Sequence, residues 1–407
     1  MELRFKSLDD FDFAGRRVIV RADLNLPVQG GKITDQTRLE RLLPTLRELS
    51  EKGASVVVLS HFGRPGGRDI RLSLAQVASA LAEALEHPVR FISDCIGADA
   101  VRTAQSMKPG EILVCENLRF HKGEEKNDAA FSAELAKLGE IYINDAFSTS
   151  HRAHASVSTL AGLLPCAAGR LMEAELIALD QAFEHPRHPE MAIAGGSKVS
   201  TKIDLLNNLI RRVDKLVLGG AMANTFLFSR GANVGASMYE KDMLDTAREI
   251  TKCAEKKGCE IILPVDAQLS DIVRSDGNIR TAPVEDIQPH EMILDFGPQS
   301  IRRVEGILDS CQTLLWNGPL GVFEVPPFEK GTVAVAKYAA ALTKSGKILS
   351  IAGGGDTAAA MNLAGVMNDF TYVSTAGGAF LEWLEGKTLP GVAALLGEPQ
   401  RMVLNAK

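Results

Sequence analysis

Charged side chains recur where short apolar runs end in the first 154 residues of the sequence. Arginine is prominent among them, and a guanidinium can bind a phosphate or a carboxylate through two hydrogen bonds. Each such residue alone is more often solvated or ion-paired. Together they predict a site for a small ligand that carries both phosphate and carboxylate. The residues that would form it are Asn25, Arg38, His61, Arg64, Arg119 and Arg152.

The second part of the chain carries glycine turns instead. In Gly353-Gly354-Gly355-Asp356-Thr357, an apolar run breaks into three glycines before a predicted helix. Such a turn can aim backbone N–H groups and the positive end of a helix dipole at a phosphate. Asp356 could then hold a Mg²⁺ ion that bridges to the phosphate. The same pattern is also a common structural join, so alone it does not establish a nucleotide site.

Two lysines follow another glycine turn, Gly195-Gly196, and could reach a phosphate chain. The spacing of Lys198 and Lys202 predicts that they lie one turn apart on one helix face. The stretch lacks the GxxxxGK[ST] pattern of a Walker A loop, and a solvated helix face is the alternative interpretation.

Further glycine turns close the second part. Gly219-Gly220 ends one apolar run, and Gly377-Gly378 follows the last one. Between them, the segment from Trp316 to Glu324 offers Asn317 for a phosphate and Glu324 for a ribose hydroxyl. A plain surface loop is the alternative for this segment.

Short β-branched runs alternate with helical patterns, which indicates parallel sheets with crossover helices. Ligands of such sheets bind beyond the carboxyl ends of the strands. Five strands are predicted in the first part, near Arg17–Asn25, Ala54–Phe62, Val89–Cys95, Glu111–Leu118 and Ile141–Phe147, with helices such as Thr37–Lys52 and Leu74–Leu85. Leu163–His188 is predicted to be a long connecting helix that ends in a loop. A second series is predicted near Met191–Gly195, Lys215–Gly220, Glu260–Val265, Met292–Phe296, Thr313–Trp316, Lys347–Ala352 and Phe370–Ser374.

Length and composition set the class of protein. At 407 residues the chain exceeds what one core usually supports, so two domains are expected. A net charge of −6 argues against general nucleic-acid binding. The charged start and the lack of a long apolar run predict a protein without a signal peptide or membrane span. The six cysteines form no CxxC pair, which favours reduced thiols and a cytoplasmic location.

Taken together, the segments resemble the phosphoglycerate kinase family along essentially the whole chain. The motifs are Arg21-Ala22-Asp23-Leu24-Asn25-Leu26-Pro27, Ser60-His61-Phe62-Gly63-Arg64-Pro65, Glu116-Asn117-Leu118-Arg119-Phe120, His151-Arg152-Ala153-His154, Gly195-Gly196-Ser197-Lys198, Asn317-Gly318-Pro319, Gly353-Gly354-Gly355-Asp356-Thr357 and the Gly377-Gly378 turn. The resemblance implies two similar doubly wound, Rossmann-like α/β domains joined by a long helix, with a cleft between them. Residues 1–168 would bind 3-phosphoglycerate and residues 169–388 would bind Mg-nucleotide, while residues 389–407 would pack back on the first domain.

The resemblance also assigns roles by position. The phosphoglycerate site would comprise Asp23, Leu24, Asn25, Arg38, His61, Phe62, Gly63, Arg64, Arg119 and Arg152. The nucleotide site would comprise Gly195, Gly196, Lys202, Gly219, Gly220, Asn317, Pro319, Glu324, Gly353, Gly354, Gly355, Asp356 and Thr357. Arg38, Lys198 and Lys202 would form the catalytic set. Arg38 and Lys198 would flank the transferring phosphoryl group, Lys202 would contact the α-phosphate, and Asp356 would ligate Mg²⁺. The family's usual glycine is Ala376 here, so that position is not assigned to the site.

The implied reaction is reversible phosphoryl transfer between 1,3-bisphosphoglycerate and ADP, in a monomer whose domains close before chemistry. No general base is required, because the nucleophile is already ionised. Two alternatives remain open at this point. One is a kinase that phosphorylates a different carboxylic acid, and the other is a catalytically silent scaffold that binds nucleotide.

Overall fold

The computed structural model describes residues 5–30 and 32–397 of the chain. It divides the protein into two compact units. Residues up to Ile177, together with those from Thr388 onward, form the first unit, and Ala178–Lys387 form the second. The division therefore falls inside a helix, nine residues after the predicted boundary at position 168.

The first unit is built on a six-stranded parallel sheet. The strands of this unit are β1 (Arg17–Ala22), β2 (Val28–Gln29), β3 (Lys32–Ile33), β4 (Ser55–Leu59), β5 (Val89–Ile92), β6 (Ile112–Cys115), β7 (Ile141–Asp145) and β8 (Cys166–Ala168). Its helices are α1 (Thr37–Glu51), α2 (Ala75–Leu85), α3 (Gly97–Gln105), α4 (Lys122–Glu125), α5 (Ala129–Ala136) and the start of α6 (Arg170–Leu179). The order across the sheet is β5-β6-β4-β1-β7-β8, and β2 pairs with β3 as a separate hairpin.

The central strands explain why this sheet is parallel and covered on both faces. Three successive residues of β1, Val18–Val20, and the last four of β4, Val56–Leu59, are apolar and buried, as expected of strands covered on two sides. Alternate residues enter different cores: Val18 and Val56 pack with one cluster, and Ile19 and Val57 pack with the other. This arrangement leaves the carboxyl ends of the strands to present polar residues.

The second unit contains another six-stranded parallel sheet, in the order β11-β10-β9-β15-β16-β17. Its strands are β9 (Glu190–Ala194), β10 (Lys215–Leu218), β11 (Glu260–Ile262), β12 (Asp266–Ser270), β13 (Arg280–Pro283), β14 (Met292–Phe296), β15 (Thr313–Asn317), β16 (Leu349–Gly353) and β17 (Tyr372–Ser374). Its helices are α7 (Ile203–Leu209), α8 (Gly220–Ser229), α9 (Leu244–Lys257), α10 (Pro298–Leu308), α11 (Lys330–Lys344), α12 (Gly355–Ala364) and α13 (Gly377–Leu384). The predicted α/β fold class with two parallel-sheet domains is confirmed.

Two features of the fold differ from the sequence predictions. The predicted strand Met292–Phe296 exists, but it belongs to a separate antiparallel sheet with the order β13-β12-β14, and not to the parallel sheet. The predicted connecting helix is also shorter. Residues 166–168 form the edge strand β8, and the helix runs from Arg170 to Leu179 before a π-helical turn at Asp180–Glu184.

The last described helix, α14 (Pro390–Leu395), belongs to the first unit. The Gly391 N–H donates to the Ser150 carbonyl at 2.9 Å, which ties this helix to the loop after β7. Positions 398–407 of the predicted C-terminal return lie outside the described residues. Within the described ranges, 5–30 and 32–397, no helix is long and apolar enough to cross a membrane.

Candidate active site

Three neighbouring strands of the first unit bring the predicted acid-binding residues together. The adjacent strands β6, β4 and β1 run parallel, so their carboxyl ends lie at one edge. Asp23 follows β1, His61 follows β4 closely, and Asn117 follows β6. The sheet thereby converts residues far apart in sequence into neighbours, as expected for ligand sites of parallel sheets.

Asp23 and Asn25 organise the loop after β1. The guanidinium of Arg38, near the start of α1, lies 3.1 Å from a carboxylate oxygen of Asp23 and donates to the Asn25 carbonyl at 3.0 Å. The Asn25 side chain in turn accepts from the Gly63 N–H at 2.8 Å. Asp23 is buried, while the Arg38 side chain is 36% exposed, so these contacts orient the guanidinium and leave part of the side chain accessible to a ligand.

Arg119 is fixed by contacts with the loop after β4 and with Glu125. Its guanidinium donates to the Gly63 carbonyl at 2.6 Å and lies 3.3 Å from Glu125. The buried Asn117 side chain accepts from the N–H of Phe62 and donates to its carbonyl at 2.7 Å. This bridge locks the Phe62-Gly63 turn, and so the turn holds Asn25 and Arg119 in a common frame.

Two histidines beneath this cluster are held in the neutral form. Burial, followed by the charges of Arg21, Arg119 and other neighbours, lowers the pKa of His61 well below its usual value. Burial and the same two arginines lower the pKa of His154 to about 4. Neutral imidazoles can orient a ligand through hydrogen bonds without adding positive charge.

The arginine behind His61 was not assigned to the site from sequence. Arg21 is fully buried within β1; its guanidinium lies 3.2 Å from His61 Nδ1 and donates to Ser156 at 2.9 Å. The Ser156 hydroxyl donates to the buried Glu124 carboxylate at 2.6 Å. An arginine directly after the apolar run Val18–Val20 is the sequence indication of this buried network.

The other predicted acid-site residues differ in how far their side chains are exposed. Arg64 is exposed beside the locked turn, and Arg152 is partly buried, with its Nε 3.1 Å from His151. Leu24 differs from the others because its side chain is fully buried in the core and its N–H donates to Ser60. The structure thus brings Leu24 beneath the site, with its side chain directed into the core.

The second unit contains a pocket of about 350 Å³ at the carboxyl edge of its parallel sheet. The predicted nucleotide residues on its wall are Gly196, Gly220, Pro319, Glu324 and Asp356. The wall also includes apolar side chains that sequence reasoning missed, among them Met238, Leu294, Phe296 and Leu320. Apolar residues in separate loops and strands have no sequence pattern that distinguishes a base pocket from core.

Lys202 is the best-anchored cation at this edge. Its ammonium donates to the Gly195 carbonyl at 2.6 Å and to the Asn317 side chain at 2.8 Å. Burial lowers the pKa of Lys202 to about 8, an effect that the Asp356 carboxylate opposes. The prediction that Lys198 shares a helix face with Lys202 is wrong, because α7 begins only at Ile203. Lys198 lies in the preceding turn and is exposed.

The loop that contains Asn317 connects two of the predicted phosphate turns. The Asn317 side chain donates to the Gly353 carbonyl at 2.8 Å, and the Thr357 hydroxyl accepts from the Gly318 N–H at 2.7 Å. Asp356 and Glu324 are both exposed on the pocket wall. Two charged groups therefore remain available to a ligand on a frame of internally bonded loops.

The glycines of these turns have two different explanations. A Cβ on Gly195 would lie 1.8 Å from the Pro319 carbonyl oxygen, and one on Gly318 would lie 2.3 Å from the Gly195 oxygen. Packing of loop against loop already requires both glycines. A Cβ on Gly355, by contrast, would meet nothing within 4 Å. In the same turn, a Cβ on Gly353 would lie 2.5 Å from Phe380, and Gly354 has a φ of +107°. Close approach of a ligand therefore remains an explanation for Gly355 alone among these three glycines.

The comparisons with known proteins extend over nearly the whole chain. The family model described as phosphoglycerate kinase matches residues 8–387. A phosphoglycerate kinase from Azorhizobium caulinodans is 55% identical over 391 residues, covering 96% of this chain and 99% of that relative. One from Rhodospirillum centenum is 56% identical over 394 residues, covering 97% of this chain and all of that relative.

Solved structures agree with the sequence relatives. The phosphoglycerate kinase from Coxiella burnetii has a TM-score of 0.90 at 39% identity, covering 97% of this chain and 99% of that one. The enzyme from Pyrococcus horikoshii OT3 has a TM-score of 0.81 at 31% identity, covering 96% and 98%. The resemblance inferred from the motifs is confirmed. With both units matched, the chain belongs to the phosphoglycerate kinase family.

Proposed function

We propose that the chain transfers the acyl phosphate of 1,3-bisphosphoglycerate to ADP, and reversibly phosphorylates 3-phosphoglycerate with ATP, through the two sites described above. The first unit would hold the acid and the second the Mg-nucleotide. Family membership supports the reaction, which is a step of glycolysis and gluconeogenesis. The observation that carries the assignment of sites is the contrast between an arginine cluster at one sheet and a largely apolar pocket of about 350 Å³ at the other.

The side chains suit a transfer without general-base catalysis. The attacking group is a carboxylate or a nucleotide phosphate oxygen, and both are ionised at neutral pH. Catalysis would then depend on alignment and on neutralising the charge of the transferring phosphoryl group. Arg38 supports this role because one nitrogen of its guanidinium is held by Asp23 and Asn25 while the side chain remains partly accessible. Lys202 and the exposed Lys198 would supply charge from the second unit.

The residues beside the pocket fit a Mg²⁺ ion that arrives with the nucleotide. Mg²⁺ prefers oxygen ligands and is commonly held by one or two carboxylates together with substrate phosphates. Asp356 offers an exposed carboxylate in the first turn of α12, within electrostatic reach of Lys202. When bound, the ion would neutralise phosphate charge. Asp356 would fix its position, and Lys202 would fix the phosphate chain.

We further propose that a monomer performs this reaction in the cytoplasm, and that closure of the two units precedes transfer. Closure would exclude water, which would otherwise accept the phosphoryl group. The helix α6 crosses the division between the units at Ile177 and Ala178, which supports a hinge role for this segment. The cytoplasmic location is supported by the six free thiols.

A coupled assay with ATP and candidate acids tests the proposed function. Turnover is expected with 3-phosphoglycerate and not with acetate or aspartate, because neither of these acids carries a phosphate for the arginine cluster. Turnover with acetate or aspartate alone would indicate another acyl-phosphate-forming kinase. Nucleotide binding without turnover on any acid would indicate a silent scaffold.

A further inference from the structure

A cluster of three different metal-binding side chains lies in the first unit, outside the sites described above. Asp94, Cys95 and His121 place one ligand atom each within 4.8 Å of the others. Asp94 and Cys95 follow β5, while His121 follows the short turn after β6, and these two strands are paired neighbours. The sheet therefore brings together a carboxylate, a thiol and an imidazole from separate segments.

The cluster is ordered by its own contacts. His121 Nε2 lies 2.8 Å from Asp94 Oδ1, and the same oxygen accepts from the Cys95 N–H at 2.7 Å. The His121 ring stacks on Phe131 with the ring centres 5.3 Å apart, which fixes the direction of its nitrogens. Cys95 is fully buried, whereas the carboxylate and the imidazole remain partly accessible. The set thus has a closed inner side and an open outer side.

We propose that Asp94, Cys95 and His121 form a binding site for a thiophilic divalent cation of the zinc class. Thiolate and imidazole ligands select such cations, whereas Mg²⁺ prefers oxygen alone. In a tetrahedral zinc site, neighbouring ligand atoms lie about 3.3–3.8 Å apart, so small side-chain adjustments suffice to close the cluster. The fourth position would be filled by water from the open side.

Two features of the cluster lower its affinity for a cation. Arg68 lies 3.7 Å from the other Asp94 oxygen, and its positive charge opposes a cation there. The Cys95 thiol must also release its proton to solvent when the metal–sulfur bond forms, so the affinity rises with pH.

Titration with Co²⁺ tests the site, because cobalt bound to a thiolate absorbs in the near ultraviolet and cobalt bound to oxygen alone does not. The reduced full-length protein, freed of metal by a chelator, is expected to bind one Co²⁺ per chain with this absorption. Zn²⁺ should displace the cobalt, and excess Mg²⁺ should not. A wild-type protein without the absorption would overturn the proposal.

Three variants test which side chains bind the cobalt. Cys95→Ser should abolish it, and His121→Gln should weaken Co²⁺ affinity by at least about tenfold, since it removes a ligand at a partly exposed position. Cys253→Ser removes a thiol from the second unit and should leave the titration unchanged. Absorption that survives Cys95→Ser, or that is lost in Cys253→Ser, would place the metal elsewhere. Should Cys95→Ser fail to fold, unchanged affinity in His121→Gln would refute the site.

Discussion

The two candidate sites offer different groups to an anionic ligand. In the first unit the charges sit on side chains, and Arg38 and Arg119 are tied to the loops by hydrogen bonds to backbone carbonyls. In the second unit the pocket is lined largely by backbone and apolar groups, with Lys202 as the anchored cation. A small acid with two charged ends needs several directed charges, whereas a nucleotide offers a base and a phosphate chain to one continuous surface.

This difference predicts different responses to substitution. Loss of the Arg38 guanidinium should remove positive charge from the first site and leave the fold intact, because Arg38 is partly exposed. A methyl group added to a glycine in the second unit disturbs the loops first and the ligand second. Substitutions in each unit can therefore separate effects on catalysis or binding from effects on the fold.

The largest effect is expected for Arg38→Ala. If Arg38 neutralises charge mainly in the transition state, turnover should fall by about 10³-fold with a smaller change in KM. Steady-state kinetics with ATP and 3-phosphoglycerate measure both quantities. Arg47→Ala, an exposed arginine on the same helix, is the matched control and should retain normal turnover. Near-normal turnover in Arg38→Ala would remove this residue from the mechanism.

The second-largest effect is expected for Gly195→Ala, which should destabilise the second unit. Gly195→Ala places a Cβ 1.8 Å from the Pro319 carbonyl oxygen, so the two loops must separate. The free energy of unfolding should fall by about 1–3 kcal/mol, the usual cost of overpacking, and Mg-ADP affinity should fall with it. Urea denaturation and titration calorimetry measure these effects.

Gly306→Ala is the control for that substitution. Gly306 lies within α10, and a Cβ there would meet nothing within 4 Å. Because alanine favours helix over glycine by up to about 1 kcal/mol, this variant should be equally or more stable than wild type. Equal stability of Gly195→Ala and Gly306→Ala would contradict the close packing of the two loops.

The sequence predicted the ends of the parallel strands better than it predicted the smaller antiparallel sheet. The apolar runs of β1 and β4 indicated where Asp23 and His61 would meet, since parallel strands end at a common edge. The antiparallel sheet was partly missed because β12 and β13 are short and contain charged residues. Such strands are stabilised by their partners more than by their own sequence.

Local periodicity also gave the wrong geometry for one pair of lysines. The spacing of Lys198 and Lys202 suits a helix, but the chain forms a turn until Ile203 because Lys202 is drawn to the carbonyl of Gly195 and to Asn317. The contact between Lys202 and Asn317 joins residues more than one hundred positions apart in the sequence, and such contacts produce no local periodic pattern. The role of glycine at position 195 is hidden for the same reason, since its neighbour Pro319 is distant in sequence.

The third effect is a pH dependence of Mg-ADP affinity that arises from Lys202. Burial lowers its pKa to about 8, so the free enzyme loses this positive charge as the pH rises through that value. A bound phosphate would retain the proton, and Mg-ADP affinity should therefore fall about tenfold between pH 7 and pH 9. Calorimetry at both pH values measures the change. Lys202→Met should bind more weakly and without this dependence, and a flat wild-type profile would contradict the proposed phosphate contact.

The smallest effect is expected for Gly355→Ala, which tests whether the turn after β16 faces a phosphate or only joins strand to helix. Gly355 begins α12, and an added Cβ meets no protein atom within 4 Å. The free energy of unfolding should therefore stay equal or rise. A phosphate close to the backbone would nevertheless be crowded by the methyl group, so Mg-ADP affinity should fall roughly three- to fivefold. Unchanged affinity, matching the Gly306→Ala control, would leave the turn as a structural join and assign phosphate binding to Lys202 and its neighbours.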